Sequence, residues 1–592
     1  MTTVPQDLIA KPREFDIAPD APLRADLASA LTTGGLIRFF VGSTVAAFTL
    51  ALTFRPYSNV SAFLLMRQDR WLLLVALGLM ALCSLRCPER GDFPRLRLRS
   101  WLMVAAVLAV VTSAGHFLIL SDYDLSRDEQ LASFDASIFM KGHIVQPVTG
   151  FWRDHSAALN TTYMYPADHR RAWISAYLPL NSVFRALFGL VGLPYLIGPL
   201  MTVLGGFALW GCVGRLWPFD HDAKFVALVL YAGSAQIVFA GMTSYAMPDH
   251  LALNLCWLWL FLRKTRASDF GALAVGFFAT GLHQPLMHPM FVAPFIALLL
   301  FERRWTRACL YIVAYGLISA FWLYWPTWMV SLVQESPDAV GPPGLEYMER
   351  LIGAVRNRDP MGLPDMVANF LRFIAWQHLL LVPLLLYGIR QYRQNPMILA
   401  LAGGLVLIAV FMAIALPDQG HGFGYRYFHG LIGNAILLAI YGWKALDRTG
   451  ERPGLWRALL MRTTVATVVV LMPIQVVMAH NFYAPAALVS RQIDTINADY
   501  VVIGGKDAPF AKDLVLNPPT LLRRPIGLLR EKLDAGSIAA ICASHPSVAL
   551  FGDRQLMPIS AYFAFGDPVA ERFNHIFAPR LASAGCNVVP AD

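Results

Sequence analysis

Residues 101–120 read WLMVAAVLAVVTSAGHFLIL, and residues 121–130 read SDYDLSRDEQ. The first run holds no Asp, Glu, Lys or Arg. It has the length a helix needs to cross a hydrocarbon core about 30 Å thick. The second turns polar at once and carries Asp122, Asp124, Asp128 and Glu129. A lipid-crossing helix therefore leaves the bilayer directly into an acidic loop, and the rest of the chain is read outward from that point.

The same apolar signal recurs. Runs at 36–55, 70–86, 101–120, 191–214, 222–241, 247–262, 267–283, 289–301, 307–325, 369–388, 397–416, 428–443 and 463–480 make about thirteen transmembrane helices. Composition agrees: the 592 residues are 56% hydrophobic and 15% charged, against roughly 25% charged in an ordinary soluble chain. Mean hydropathy is +0.51. The 12% aromatic content, with 15 Trp, fits interfacial belts. The polar first 35 residues, with Lys11, Arg13, Glu14, Asp16 and Arg24, lack the apolar core of a cleavable signal peptide.

The formal charge of +9 is not read as a nucleic-acid footprint, because the basic residues sit in short loops. Arg86, Arg90, Arg95, Arg97 and Arg99 form one cluster; Arg263, Lys264 and Arg266 form another. Arg303, Arg304 and Arg307 follow, then Arg390 and Arg393, then Lys444, Arg448, Arg452, Arg457 and Arg462. All fall on one side of the thirteen-helix count, which the positive-inside rule makes cytoplasmic. Arg55, Arg67 and Arg70 run against the trend. The expectation is a multi-pass protein of a bacterial inner membrane, N-terminus cytoplasmic and C-terminus periplasmic.

This divides the chain into a cytoplasmic tail (1–35), a polytopic domain (36–480) and an extracytoplasmic C-terminal domain (481–592). The polytopic part has outer loops at 121–190 and 326–368. The first carries amphipathic pieces at 130–141 and 173–188, the second a short helix at 345–356. In the tail, Tyr500 to Ile503 and Ser547 to Phe551 read as strands and 520–533 as helix, a small α/β fold. Cys83, Cys87, Cys212, Cys256 and Cys309 read as small buried hydrophobes. Cys542 and Cys586 are disulfide candidates outside the cytoplasm.

Ionisable residues gather at the outer helix ends. Asp128 and Glu129 follow the third helix. Asp249 and His250 open the sixth. His283 and His288 lie in the next outer turn, and His421, Tyr425 and Arg426 in the glycine-rich 418–429 turn. Burying such groups is costly unless they are paired or solvated, so they mark a site. Each also has a plain structural reading: solvated loop, satisfied core histidine, helix cap. Arg426, flanked by glycines and aromatics, suits an anion. Asp122 and Asp124 leave room for a divalent metal. No G-x-x-x-x-G-K-[ST], H-E-x-x-H or G-x-S-x-G pattern is present. Asn160-Thr161-Thr162 is a sequon.

Taken together, Arg127-Asp128-Glu129-Gln130, Ala176-Tyr177-Leu178-Pro179-Leu180, Met247-Pro248-Asp249 and Gly424-Tyr425-Arg426-Tyr427-Phe428 resemble motifs of the GT-C glycosyltransferases. The resemblance is to the protein O-mannosyltransferase and lipid A aminoarabinose transferase type, over roughly residues 100–480. Two helices precede the one that leads into the acidic loop, and histidines stand where that type has a Lys in the seventh-to-eighth turn. The resemblance implies a mainly α, GT-C-like fold and an inverting transfer of sugar from a polyprenyl-phosphate donor. The acceptor would be a glycan, lipid or protein hydroxyl at the outer face. Asp128, or Glu129, would act as base. Arg426, Tyr425, His283, His288, Asp249, His250 and His421 would bind substrate. No cofactor is required, and no nucleic acid is involved. A flippase of lipid-linked saccharides and a non-catalytic assembly protein are the rival readings.

Overall fold

The computed structural model describes residues 32–54, 59–85, 89–335, 361–448, 453–564 and 569–591, with a few positions between 349 and 356. The N-terminal tail, Arg55, Arg86, Cys87, Arg452 and most of the helix expected at 345–356 lie outside them.

Among the described residues each of the thirteen apolar runs falls mostly on helix. Six helical stretches among the described residues are long and apolar enough to cross a membrane: Thr33–Thr53, Leu98–Leu118, Pro194–Leu216, Trp305–Val333, Pro396–Ala415 and Pro453–Thr495. The others are shorter or broken. The expected 222–241 helix is two pieces, His221–Ala232 and Ala235–Ala240, because the Ser234 hydroxyl caps the second by accepting from Ile237 N at 3.3 Å. The expected 369–388 helix is also two, Gly362–Ala375 and Leu381–Gln391. There the Trp376 carbonyl accepts from Gln236 N and His378 Nδ1 accepts from Leu380 N. The two breaks are tied together by Ser234 Oγ donating to Gln377 Oε1 at 2.7 Å. Side chains, and at Trp376 the backbone of the facing break, thus take up backbone groups that the breaks release, as a membrane interior requires.

Small residues set the closest helix crossing. A Cβ on Gly442 would lie 2.1 Å from the Leu384 carbonyl oxygen, and one on Gly388 2.3 Å from that of Leu438. The helices Leu381–Gln391 and Ile432–Arg448 therefore touch backbone to backbone. At the ends rich in basic residues, Arg457 pairs with Asp222 and Asp92, both at 3.0 Å, and Lys444 with Asp220 at 2.8 Å. Cys309, expected buried, is exposed. It sits on Trp305–Val333, little of which is covered by protein, as on a lipid-facing helix.

The loop 121–190 holds the helix Arg127–Phe139, the helix Leu180–Gly189 and a small antiparallel sheet. Its strands are β1 (Gln146–Pro147), β2 (Met164–Tyr165) and β3 (Ala172–Ser175), in the order β1-β3-β2. The amphipathic piece expected at 173–188 thus begins as a strand, because β3 is paired on both edges, and turns helical only after Pro179.

Beyond Thr495 lie four parallel strands: β4 (Tyr500–Ile503), β5 (Ile526–Leu529), β6 (Ser547–Leu550) and β7 (Asn587–Val589), ordered β5-β4-β6-β7. The helix expected at 520–533 is instead centred on β5. Its four residues are all buried and pair with β4 in register from Tyr500↔Ile526. Full burial on both faces overrides the helical spacing of its leucines. Cys542 and Cys586 are joined. Asn160 of the sequon is buried, its amide nitrogen donating to the Lys512 carbonyl at 2.9 Å.

Gly442→Ala should lower stability by roughly 1–3 kcal/mol through overpacking, read as a lower thermal midpoint of the detergent-solubilised protein. An unchanged midpoint would mean that the crossing is not close.

Candidate active site

Ser126 ends the polar turn and caps the helix Arg127–Phe139. Its hydroxyl accepts from Glu129 N at 3.3 Å, while Ser126 N and Oγ both donate to Glu129 Oε2 at 3.1 Å. This capping box leaves Asp128 in the first turn, where the helix dipole favours a carboxylate. Arg127, buried, donates to the carbonyls of Asn160 at 2.8 Å and Thr162 at 3.3 Å and so pins the loop around the cap.

Arg426 reaches the same place from the far end of the chain. Gly420, Gly422 and Gly424 all have positive φ, a backbone that side chains with a Cβ avoid. At Gly424 a Cβ would also meet Gln236 Oε1 at 2.4 Å. The loop is held by side chains. Gln419 accepts from Arg426 N at 2.9 Å and donates to the Gly424 carbonyl at 2.8 Å. Gln236 donates to the Tyr425 carbonyl at 2.7 Å, and Arg372 to that of Gly422 at 2.7 Å. Arg372 is itself paired with Asp69 at 2.9 Å, and both are buried.

Arg426 Nη1 donates to Asp128 Oδ2 at 2.8 Å, across 298 residues of sequence. Their side chains are 12% and 11% exposed. The Tyr177 hydroxyl donates to Asp128 Oδ1, and the His283 ring lies 4.0 Å from that of Tyr177. Arg426 Nη2 donates to the Tyr427 hydroxyl at 3.2 Å, and the guanidinium lies over the rings of Tyr245 and Tyr427. Burial works to raise the Asp128 carboxyl, but Arg426, His283 and the Tyr177 hydroxyl hold it below the usual carboxylate value. Asp128 is therefore an ionised acceptor beside a fixed cation, able to take a proton from a bound hydroxyl.

The other expected residues are placed as follows. Glu129 is buried in the capping box, with the Tyr483 hydroxyl 3.3 Å from Oε2. Tyr425 is fully buried, its hydroxyl on Met366 Sδ. His288 is buried with both ring nitrogens engaged, by Asn254 Oδ1 and the Tyr315 hydroxyl, each at 2.7 Å. His421 packs its ring 4.2 Å from that of Phe510, in the loop after β4. Asp249 and His250 are buried at the start of the helix Met247–Arg263. Asp122 pairs with His116 at 3.0 Å, and Asp124 accepts from Ser133 at 2.5 Å, so the two carboxylates have separate partners. Among the described residues no three His, Cys, Asp or Glu side chains gather as metal ligands.

Tyr177, Tyr245, Tyr427, Gln419 and the Asp69–Arg372 pair were not singled out from the sequence. Arg372 carries a legible signal, as the charged residue within the apolar 369–388 run. Tyr177 lies inside a motif already noted for its proline.

No family model matches the chain, and no curated protein matches it. Two solved structures are similar in arrangement. The crystal structure of ArnT from Cupriavidus metallidurans bound to undecaprenyl phosphate has 15% identity and a TM-score of 0.49, covering 81% of this chain and 92% of its own. The apo crystal structure of ArnT from the same organism has 13% identity and a TM-score of 0.44, covering 81% and 91%.

Burial, with Asp124 next, pushes Glu129 up from its ordinary 4.5. The folded state therefore favours the protonated acid. Its contribution to stability is full below the ordinary value and is lost as pH rises through the raised one. Glu129→Gln, neutral throughout, should flatten this decline in thermal midpoint between about pH 5 and 9. Parallel profiles for variant and wild type would contradict the assignment.

Proposed function

We propose that the protein is a membrane glycosyltransferase that moves a sugar from a polyprenyl-phosphate donor to an acceptor hydroxyl at the outer face of the membrane. The observation that carries this reading is the Asp128–Arg426 contact at 2.8 Å. It sets a carboxylate base against a cation suited to a phosphate, which is the pair that such a displacement needs. Donor phosphate binds at Arg426 and draws it from Asp128. The acceptor hydroxyl gives its proton to Asp128 and its oxygen attacks the anomeric carbon. The bond from that carbon to the phosphate oxygen breaks, its electron pair leaves on the polyprenyl phosphate, and configuration inverts. Asp128 is preferred over Glu129 because the capping box already engages Glu129.

The proposed arrangement has thirteen crossings, the N-terminus in the cytoplasm and residues 481–592 outside. The one-sided basic clusters support this orientation. So does the Cys542–Cys586 bond, since disulfides persist in oxidising compartments.

Asp128→Asn in purified full-length protein should cut transfer at least about 100-fold while donor binding persists. Arg426→Ala should weaken binding of polyprenyl phosphate about tenfold or more. Transfer that survives Asp128→Asn overturns the assignment of the base. Unchanged phosphate affinity in Arg426→Ala overturns that of the cation.

A further inference from the structure

Behind Arg426 lies a group of buried polar side chains that the transfer chemistry does not use. Asp249 is 1% exposed, and neither carboxylate oxygen has a hydrogen-bond partner among the described residues. His250 and His429 are 9% and 1% exposed, and none of their four ring nitrogens has one. Arg185, 2% exposed, spends Nη2 on the Thr243 carbonyl at 3.1 Å and leaves Nε without a partner. Asn181 gives its amide nitrogen to the Ser244 carbonyl at 3.1 Å and leaves its oxygen free. The Tyr245 ring lies under the Arg426 guanidinium and borders the group.

These groups come from four elements that meet. Asn181 and Arg185 lie on Leu180–Gly189, Tyr245 in the turn between the helices Ala235–Ala240 and Met247–Arg263, Asp249 and His250 at the start of Met247–Arg263, and His429 three residues after Arg426. Arg185 is a charged neighbour that acts on Asp249, and His429 and His283 both act on His250. A Cβ on Gly430 would touch His250 Cβ at 3.3 Å. Buried polar groups are normally satisfied, and a cluster this dense left open by the protein points to a ligand that completes it.

We infer that Asp249, His250, His429 and Arg185 form the subsite that recognises the hydroxyl groups of the transferred sugar, and that this sugar is neutral and hydroxyl-rich. The inference rests on the glycosyltransferase reading and assigns the donor's orientation within it: phosphate at Arg426, sugar ring inward. A sugar hydroxyl both donates and accepts, which matches a set that mixes a carboxylate, imidazoles, a guanidinium and an amide oxygen. A second phosphate would meet the Asp249 carboxylate. A cationic amino group would meet the guanidinium of Arg185.

The test is binding by the full-length protein in detergent of three probes: polyprenyl phosphate, polyprenyl-phosphate hexose and polyprenyl-phosphate amino sugar. Wild type should bind the neutral hexose donor at least about tenfold more tightly than either other probe. Asp249→Asn and His429→Gln should remove that advantage while leaving bare polyprenyl phosphate affinity and the thermal midpoint unchanged. A wild-type preference for the amino sugar, or no gain from any sugar, overturns the inference without need of a variant. Equal losses for all three probes in the variants also overturn it. Failure of wild type to bind any of the three overturns the transferase reading itself.

Discussion

Two opposite charges drawn out of water gain little from each other unless the rest of each group is also satisfied. Asp128 meets that condition at both oxygens, and Arg426 meets it at both Nη atoms, while its Nε has no partner among the described residues. One carboxylate oxygen takes the guanidinium and the other the Tyr177 hydroxyl, while Tyr427 and two aromatic faces serve the remaining side of Arg426. Each residue is brought there by its own device. A capping box fixes Asp128, and a glycine loop turned through positive φ fixes Arg426. The contact joins the loop 121–190 to the turn before the helix Ile432–Arg448, so both must be in place before either charge is tolerable.

The supports of that contact reach well into the helical body. Asp69 holds Arg372, and Arg372 holds the Gly422 carbonyl, so a buried ion pair fixes the backbone just ahead of Arg426. Gln377, Gln236 and Gln419 form a second brace, linked by Gln377 donating to Gln236 at 2.8 Å. Both braces depend on the two helix breaks, since an unbroken 369–388 helix would not offer Trp376 and Gln377 sideways. The region after Thr495 contributes as well. Its loop after β4 accepts at the Asp513 carbonyl from Gln130, one residue beyond the Asp128–Glu129 pair. The same loop stacks Phe510 on His421.

The helical body was legible from run length alone, because burial in lipid leaves few alternatives to helix. Where breaks fall was not, since they depend on partners distant in sequence: Ser234 on Gln377, Trp376 on Gln236. The strand β5 was misread as helix because leucine spacing is ambiguous when both faces are buried. In the site, Asp128 and Arg426 stood out as charges at outer helix ends. His288 looked similar and turned out to have both nitrogens engaged within the bundle. A sequence shows that a histidine is near lipid but not whether a distant Asn and Tyr already satisfy it. The reverse held for Arg185 and His429, whose open hydrogen-bonding positions appear only once four elements are assembled.

In the proposed reaction Arg426 exchanges Asp128 for the donor phosphate and so frees the base. A structure of the full-length protein with polyprenyl phosphate bound tests it most directly. The account predicts phosphate oxygens within hydrogen-bond distance of the Arg426 guanidinium, with the 2.8 Å contact to Asp128 opened. Phosphate held elsewhere, with the Asp128–Arg426 contact intact, would contradict it.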